Sequence, residues 1–192
     1  MNEKFEFMIV VDMQNDFVSG SLGSEMALAI VPHAAAAVER FLAEGGARKL
    51  VFTKDTHEDD YPETNEGRHL PVPHCLRGTW GGEIIPELAG YASREDAAVV
   101  EKPAFGSVAL PGLIRAALAR HEREHGPLAE ADITFHLMGL CTDICVVSNA
   151  LLLKAHFPEA AFKVDSRGCA GVTQKSHEAA LETMRMCQIE II

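Results

Sequence analysis

The stretch Ile133-Thr134-Phe135-His136-Leu137-Met138-Gly139-Leu140-Cys141-Thr142-Asp143-Ile144-Cys145 decides the fold. Residues 133–138 are a short apolar run, continuous rather than alternating, as expected of a parallel strand covered on both faces. A helical pattern at 143–155 follows at once. Similar apolar runs occur at 7–11, 49–52, 97–100 and 161–164, and a last one at 188–192. Further helical patterns lie at 28–43, 111–122 and 173–184, the first stopped by Gly45-Gly46. Strand and helix alternating in this way predict an α/β fold with a parallel sheet and helices on both faces. One region breaks the rhythm. Residues 55–90 are rich in His, Pro, Gly and charge, and a long irregular segment inside a compact domain is usually functional.

The chain has 192 residues, 47% of them hydrophobic, with a mean hydropathy of +0.03. That suits one domain, 1–192, with a sizeable core. No uninterrupted apolar run approaches the roughly 20 residues that span a bilayer. Residues 1–7 carry Glu3 and Glu6 and do not read as a secretory leader. A net charge of −11 argues against a nucleic-acid or anionic-membrane partner. Five cysteines, Cys75, Cys141, Cys145, Cys169 and Cys187, are too few and irregular for a disulfide framework and point to a reducing, cytoplasmic setting.

In an open parallel sheet, ligands bind beyond the carboxyl ends of the strands. Those ends read Val11-Asp12-Met13-Gln14, Thr53-Lys54-Asp55-Thr56-His57, Glu101-Lys102-Pro103-Ala104-Phe105 and Gly139-Leu140-Cys141. An acid, a pair of metal-ligand residues, a lysine and a cysteine should therefore meet at one edge. Cys145, near a helix start, has the setting of an activated nucleophile, with Lys102 adding positive charge and Asp12 able to accept the thiol proton. Backbone N–H groups around Cys141 and Cys145 could hold an oxyanion. Taken singly, each residue has a plainer reading, as a cap, a solvated lysine or a core cysteine.

Three strings carry a resemblance: Val10-Val11-Asp12-Met13-Gln14-Asn15-Asp16-Phe17, Glu101-Lys102-Pro103-Ala104-Phe105-Gly106-Ser107 and Gly139-Leu140-Cys141-Thr142-Asp143-Ile144-Cys145-Val146. In this order they resemble the signatures of the isochorismatase-like cysteine hydrolases, a superfamily of nicotinamidases, isochorismatases and carbamoyl or amide hydrolases. The resemblance implies a triad of Asp12, Lys102 and Cys145, a six-stranded parallel sheet in a three-layer α/β/α, Rossmann-like arrangement, a cis peptide before Cys141 and a homo-oligomer.

Asp55 and His57, two apart, put two ligand-type side chains on one side of an extended segment. His74, Glu66 and Glu63 follow within the irregular region. Imidazoles with carboxylates suit Zn, Fe or Mn. The segments Asp55-Thr56-His57 and His74-Cys75-Leu76-Arg77-Gly78-Thr79 are similar to the metal-binding segments of nicotinamidases. That resemblance places Asp55, His57 and His74 on one divalent metal, most simply zinc, with Glu66 or its competitor Glu63 as fourth ligand and His69 left at the surface. It also implies a metal that holds a pyridine nitrogen and so positions a small carboxamide substrate. Phe17 and Phe105 are the candidate substrate contacts. Trp80 is read first as a core side chain and second as a pocket wall. The chain departs from the pattern at Pro71, where many nicotinamidases have tryptophan. The resulting expectation is a hydrolase converting nicotinamide to nicotinate and ammonia. The alternatives are a relative acting on another carboxamide or ureido group, and a catalytically idle metal-binding scaffold.

Overall fold

The computed structural model describes residues 4–192; the part of the N-terminal reading that falls on 1–3 lies outside them. Strand β1 (Phe5–Val11) is buried at every position except Glu6. It is the centre of a sheet. Parallel neighbours β2 (Ala47–Asp55) and β4 (Ile133–Leu140) flank it. Beyond them lie β3 (Ala98–Lys102) on one side, and β5 (Ala161–Ala170) and β6 (Glu190–Ile191) on the other. The order is β3-β2-β1-β4-β5-β6, parallel throughout.

The chain steps outward from β1 in one direction, then returns to β1's other side and steps outward in the opposite direction. This reversal, between β1 and β4, opens a crevice at the carboxyl ends of the two strands. Val11 pairs with Thr53 on one side and Gly139 on the other. The residues after β1 and β4 are thus neighbours by topology alone. Asp55 and Lys102 are direct partners at the ends of β2 and β3. Gly139, at φ 128, is needed here because a Cβ would collide with the Val11 carbonyl.

Helix α1 (Asn15–Val18) is a single turn after β1, and α2 (Glu25–Ala43) follows it. The Ser24 hydroxyl caps α2 by accepting from the Ala27 N–H, which starts the helix three residues earlier than its apolar pattern predicts. Ala27, Ile30, Val31, Ala34, Ala37, Val38 and Phe41 make its buried face against β5 and β4. By length and composition this one helix among the described residues could cross a membrane, although Glu25, Pro32, His33, Glu39 and Arg40 interrupt its apolar residues. Its apolar face is occupied by the sheet.

The segment after β2 is more regular than the sequence suggests. It contains short 3₁₀ turns at Tyr61–Glu63 and Trp80–Gly82, and helices α3 (Asn65–His69) and α4 (Pro86–Ala92). Helices α5 (Leu110–His125), α6 (Val147–His156) and α7 (Gln174–Met186) complete the chain. Helix α2 touches α4, while α5, α6 and α7 pack in series, as right-handed crossovers in two opposite directions require. The result is three layers around one hydrophobic cluster, with Phe135 stacked between Phe7 and Phe162. The helix predicted at 143–155 is divided: Thr142–Val146 form a π-helical turn and α6 begins only at Val147. The Leu140–Cys141 peptide is cis.

Candidate active site

Four ionisable side chains meet where the strands end. Lys102 Nζ lies 2.6 Å from Asp12 Oδ2, 3.1 Å from Asp55 Oδ1 and 3.4 Å from Cys145 Sγ. Asp12 is 0% exposed, Lys102 1% and Cys145 4%. Asp12 sits in the left-handed region at φ 47, which aspartate tolerates better than most residues. Its N–H donates to the Thr53 carbonyl and its Oδ1 accepts the Thr53 hydroxyl at 2.6 Å. Its Oδ2 lies against the Lys102 ammonium in the dry interior, on the side of Cys145.

Burial raises the Asp12 carboxyl above its usual range, and Lys102 only partly opposes this. Burial also pushes the Cys145 thiol well above an ordinary cysteine, reinforced by Asp12 and opposed by Lys102. The lysine is favoured as a cation, because Asp12, Cys145 and Asp55 outweigh its own burial. At Cys145 the desolvation by burial outweighs what the one shared ammonium offsets.

A second group adjoins the first through Asp55. Its Oδ2 lies 2.9 Å from His57 Nε2 and 3.4 Å from His74 Nε2. Glu66 Oε1 is 3.8 Å from the His57 nitrogen and 3.6 Å from the His74 nitrogen. The donor atoms of all four residues lie within 4.8 Å of one another. His74 Nδ1 donates to the Val72 carbonyl at 2.9 Å, which turns Nε2 toward the carboxylates, as ligating histidines require. Buried Tyr61 packs its ring against both imidazoles, and Phe17 packs against His74. Burial would raise Asp55, but hydrogen bonds from His57 and His74 and the charge of Lys102 hold it below the usual range. Burial and the nearby Asp55 raise Glu66. Two imidazoles and two carboxylates so close fit a divalent transition ion. Glu63 is exposed, outside this group, and its carbonyl is bonded by Arg68.

Residues that sequence reasoning passed over hold the groups in place. Gln14 is fully buried and clamps Asp55 from both sides: Nε2 donates to the Asp55 carbonyl at 2.8 Å, and the Asp55 N–H donates to Oε1 at 2.7 Å. Asn15 donates to the Trp80 carbonyl, and Asp16 accepts the Cys75 N–H at 2.8 Å, next to His74. Three successive polar residues after Asp12 thus fasten three parts of the irregular segment. On the Cys145 side, buried Asn149 donates to the Cys145 carbonyl at 2.8 Å and the Phe105 carbonyl at 3.1 Å, and accepts the Ser107 N–H. It ties the Cys145 turn to the loop that carries Lys102. Thr142 and Asp143 anchor the same turn to His177 and to the Val172 N–H. No apolar period marks these residues; the signal is polar side chains adjoining a strand end.

Both groups open into one cavity of about 930 Å³. Its lining includes Phe17, Phe105, Cys141, Cys145, Asp55, His57, Glu66 and His74, so every predicted site residue reaches it except Asp12 and Lys102, which lie buried behind Cys145. His69 is exposed, as predicted, and also lines the rim. Trp80 contradicts both of its readings. It is 61% exposed and does not line the cavity. Its 3₁₀ turn is fastened by the backbone, which leaves the ring outward. Pro71 is exposed and Leu70 lines the wall beside it.

The isochorismatase domain, as a sequence family, matches residues 6–192. The chain belongs to the isochorismatase family. Within it, the chain is 31% identical over 195 residues to the nicotinamidase/pyrazinamidase of Mycobacterium tuberculosis, covering 96% of this chain and 97% of that protein. It is also similar to the crystal structure of Pyrococcus horikoshii pyrazinamidase in complex with zinc, at 26% identity and a TM-score of 0.76, over 97% of this chain and 98% of that one. N-carbamoylsarcosine amidase from Thermoplasma acidophilum aligns at 25% identity and a TM-score of 0.74, over 97% and 94% of the two chains. Isochorismatase-family membership and the six-stranded parallel sheet agree with the sequence reading.

Proposed function

We propose that this isochorismatase-family amidohydrolase converts nicotinamide to nicotinate and ammonia, with Cys145 as nucleophile. The observation that carries the reading is the adjacency of the two groups. The Cys145–Lys102–Asp12 cluster and the Asp55–His57–Glu66–His74 cluster share Asp55 and open into one cavity. The named relatives support the carboxamide class, and the zinc-bound pyrazinamidase supports zinc over iron or manganese.

In the first step Asp12 accepts the thiol proton as Cys145 Sγ attacks the carboxamide carbon. Its raised affinity for a proton makes it a better base near neutral pH than an ordinary aspartate. Lys102 offsets the negative charge that passes from carboxylate to sulfur. The carboxamide oxygen becomes an oxyanion, held by the N–H groups of Cys141 and Cys145. Asp12 then gives its proton to the departing nitrogen, and ammonia leaves a thioester on Cys145. Water, deprotonated by Asp12, attacks the thioester; the acid is released and the thiol recovers its proton. A divalent metal held by Asp55, His57, His74 and Glu66 would supply a Lewis-acid anchor for the ring nitrogen. Phe17 and Phe105 bound the ring.

A panel of nicotinamide, pyrazinamide and ureido acids, read by ammonia release, tests the assignment. Turnover of the ring carboxamides is the expected result. Turnover of ureido acids alone would move the protein to the carbamoyl-cleaving relatives, and no turnover by metal-loaded protein would leave it a scaffold.

A further inference from the structure

The turn that carries Cys145 leans on the corner between β5 and α7. Gly139 and Leu140 of β4 pair with Cys169 and Ala170 of β5, so the residues that follow the two strands run on side by side. Thr142 opens the turn. It is 0% exposed, and its hydroxyl lies 2.8 Å from His177 Nδ1. Asp143 accepts the Val172 N–H at 3.1 Å. The Cys141 carbonyl accepts the Ile144 and Val146 N–H groups. A π-helical turn is rare and occurs mostly at functional sites, so what holds it bears on what it does. His177 is itself fixed in three ways. It stands in the first turn of α7, whose start is locked by reciprocal hydrogen bonds between Thr173 and Ser176. Its N–H donates to the Thr173 carbonyl. Gly171 packs so closely that a Cβ there would come within 2.8 Å of the His177 Cβ.

We infer that His177 is a positioning residue: through the Thr142 hydroxyl it holds the peptide groups beside Cys141 where they receive the oxyanion formed when Cys145 attacks. The inference rests on Cys145 as the nucleophile of the proposed reaction and extends that reading to α7. A displacement of about 1 Å in an oxyanion donor costs on the order of a hundredfold in rate. It costs little in a reaction of the same thiol that forms no oxyanion. The rigid start of α7 is thus the far support of the oxyanion hole, as Asn149 is the near support of Cys145 itself.

Two reactions of Cys145 on the metal-loaded full chain separate these cases. With p-nitrophenyl acetate, sulfur attacks the ester carbonyl, Asp12 takes the thiol proton, the carbonyl oxygen becomes an oxyanion, and nitrophenolate leaves an acetyl thioester. With iodoacetamide, sulfur displaces iodide from a CH₂ group and no oxyanion forms. Each rate is taken as the excess of a protein over its Cys145→Ala counterpart. In His177→Ala and in Thr142→Val the ester rate should fall at least about tenfold, while the iodoacetamide rate stays close to the wild type. The double variant should lose little more than the worse single one, because both remove the same contact. His177→Asn, whose amide can stand at the Nδ1 position, and Thr142→Ser, which keeps the hydroxyl, should regain most of the ester rate. If His177→Ala does not fold, Thr142→Val carries the same comparison. An unchanged ester rate, a parallel fall in both reactions, losses that multiply in the double variant, or a wild-type ester rate no greater than that of Cys145→Ala would overturn the inference. Ammonia release from nicotinamide is measured separately. Its absence from the wild type removes the amidohydrolase reading, and the two thiol reactions still decide the role of His177.

Discussion

At the level of single residues, the shared ammonium of Lys102 is what separates Cys145 from the other thiols. All five cysteines are free. Burial pushes Cys141 and Cys169 up to about 12 and Cys75 higher still. Cys145 is buried as deeply, but it alone has a lysine nitrogen within 3.4 Å and Asp12 able to take its proton. Lys102 is the one nearby charge that lowers both Asp12 and Cys145. Removing it raises both, so the sign is definite. In Lys102→Met the acid limb of kcat/KM should move to higher pH, because Asp12 becomes protonated sooner as pH falls. Alkylation of Cys145 near neutral pH should also slow. Rate profiles and iodoacetamide kinetics that match the wild type would remove Lys102 from the charge balance. Asp12→Asn should lose most of the turnover, since an amide cannot accept the proton; full activity on nicotinamide would exclude Asp12 as the base. The identities of these residues were legible in the sequence because each stands directly after an apolar run. The rank of burial over charge was not, because it depends on how completely the strands above exclude water.

At the level of elements, the apolar runs located the strands but understated them. Strand β2 continues to Asp55, β3 to Lys102 and β5 to Ala170. On β2 and β3 the missed residues, Thr53, Lys54, Asp55, Glu101 and Lys102, are polar because the carboxyl ends of these strands border the candidate site, where chemistry overrides the hydrophobic pattern, while on β5 the polar run Asp165-Ser166-Arg167 interrupts the apolar signal before Cys169 and Ala170. The pairing of Asp55 with Lys102 is a register fact, and it joins two constellations that look separate in sequence. The Cys145 turn departs from expectation for a related reason: it is π-helical, and Asn149 satisfies the Cys145 carbonyl from one turn further on. Asn149→Ala would leave the buried Ser107 N–H without its acceptor and the Cys145 carbonyl without its side-chain donor. A stability loss of about 1–3 kcal/mol is expected, seen as a lower denaturant midpoint, with a fall in kcat exceeding any change in KM. An unaltered kcat would show that the turn is held well enough by Thr142 and Asp143.

At the level of the whole molecule, the metal-type group links the end of β2, the chain at His57, helix α3 through Glu66 and the chain at His74. An ion bound there ties the irregular segment to the sheet and should stabilise the fold by mass action. With free zinc at about a hundred times its dissociation constant the gain is roughly 2.7 kcal/mol, or about 5–10 °C in Tm for a chain of this size. Chelation should reverse the shift, and His57→Ala should abolish it. A Tm indifferent to zinc would take the metal out of the account. Sequence located Asp55, His57, Glu66 and His74, but left Glu63 in competition and placed Trp80 inside. Which acid turns inward, and which way an indole points, is set by the 3₁₀ turns and by the Gln14, Asn15 and Asp16 clamps. These form only when distant parts of the chain meet.

Ammonia and nicotinate released from nicotinamide by the metal-loaded protein and by Cys145→Ala, measured side by side, decide whether the one thiol carries amide hydrolysis. One nicotinate per ammonia is expected from the wild type, and a loss of at least about a thousandfold in the variant, with its thermal unfolding unchanged. Turnover by Cys145→Ala within tenfold of the wild type would contradict that role.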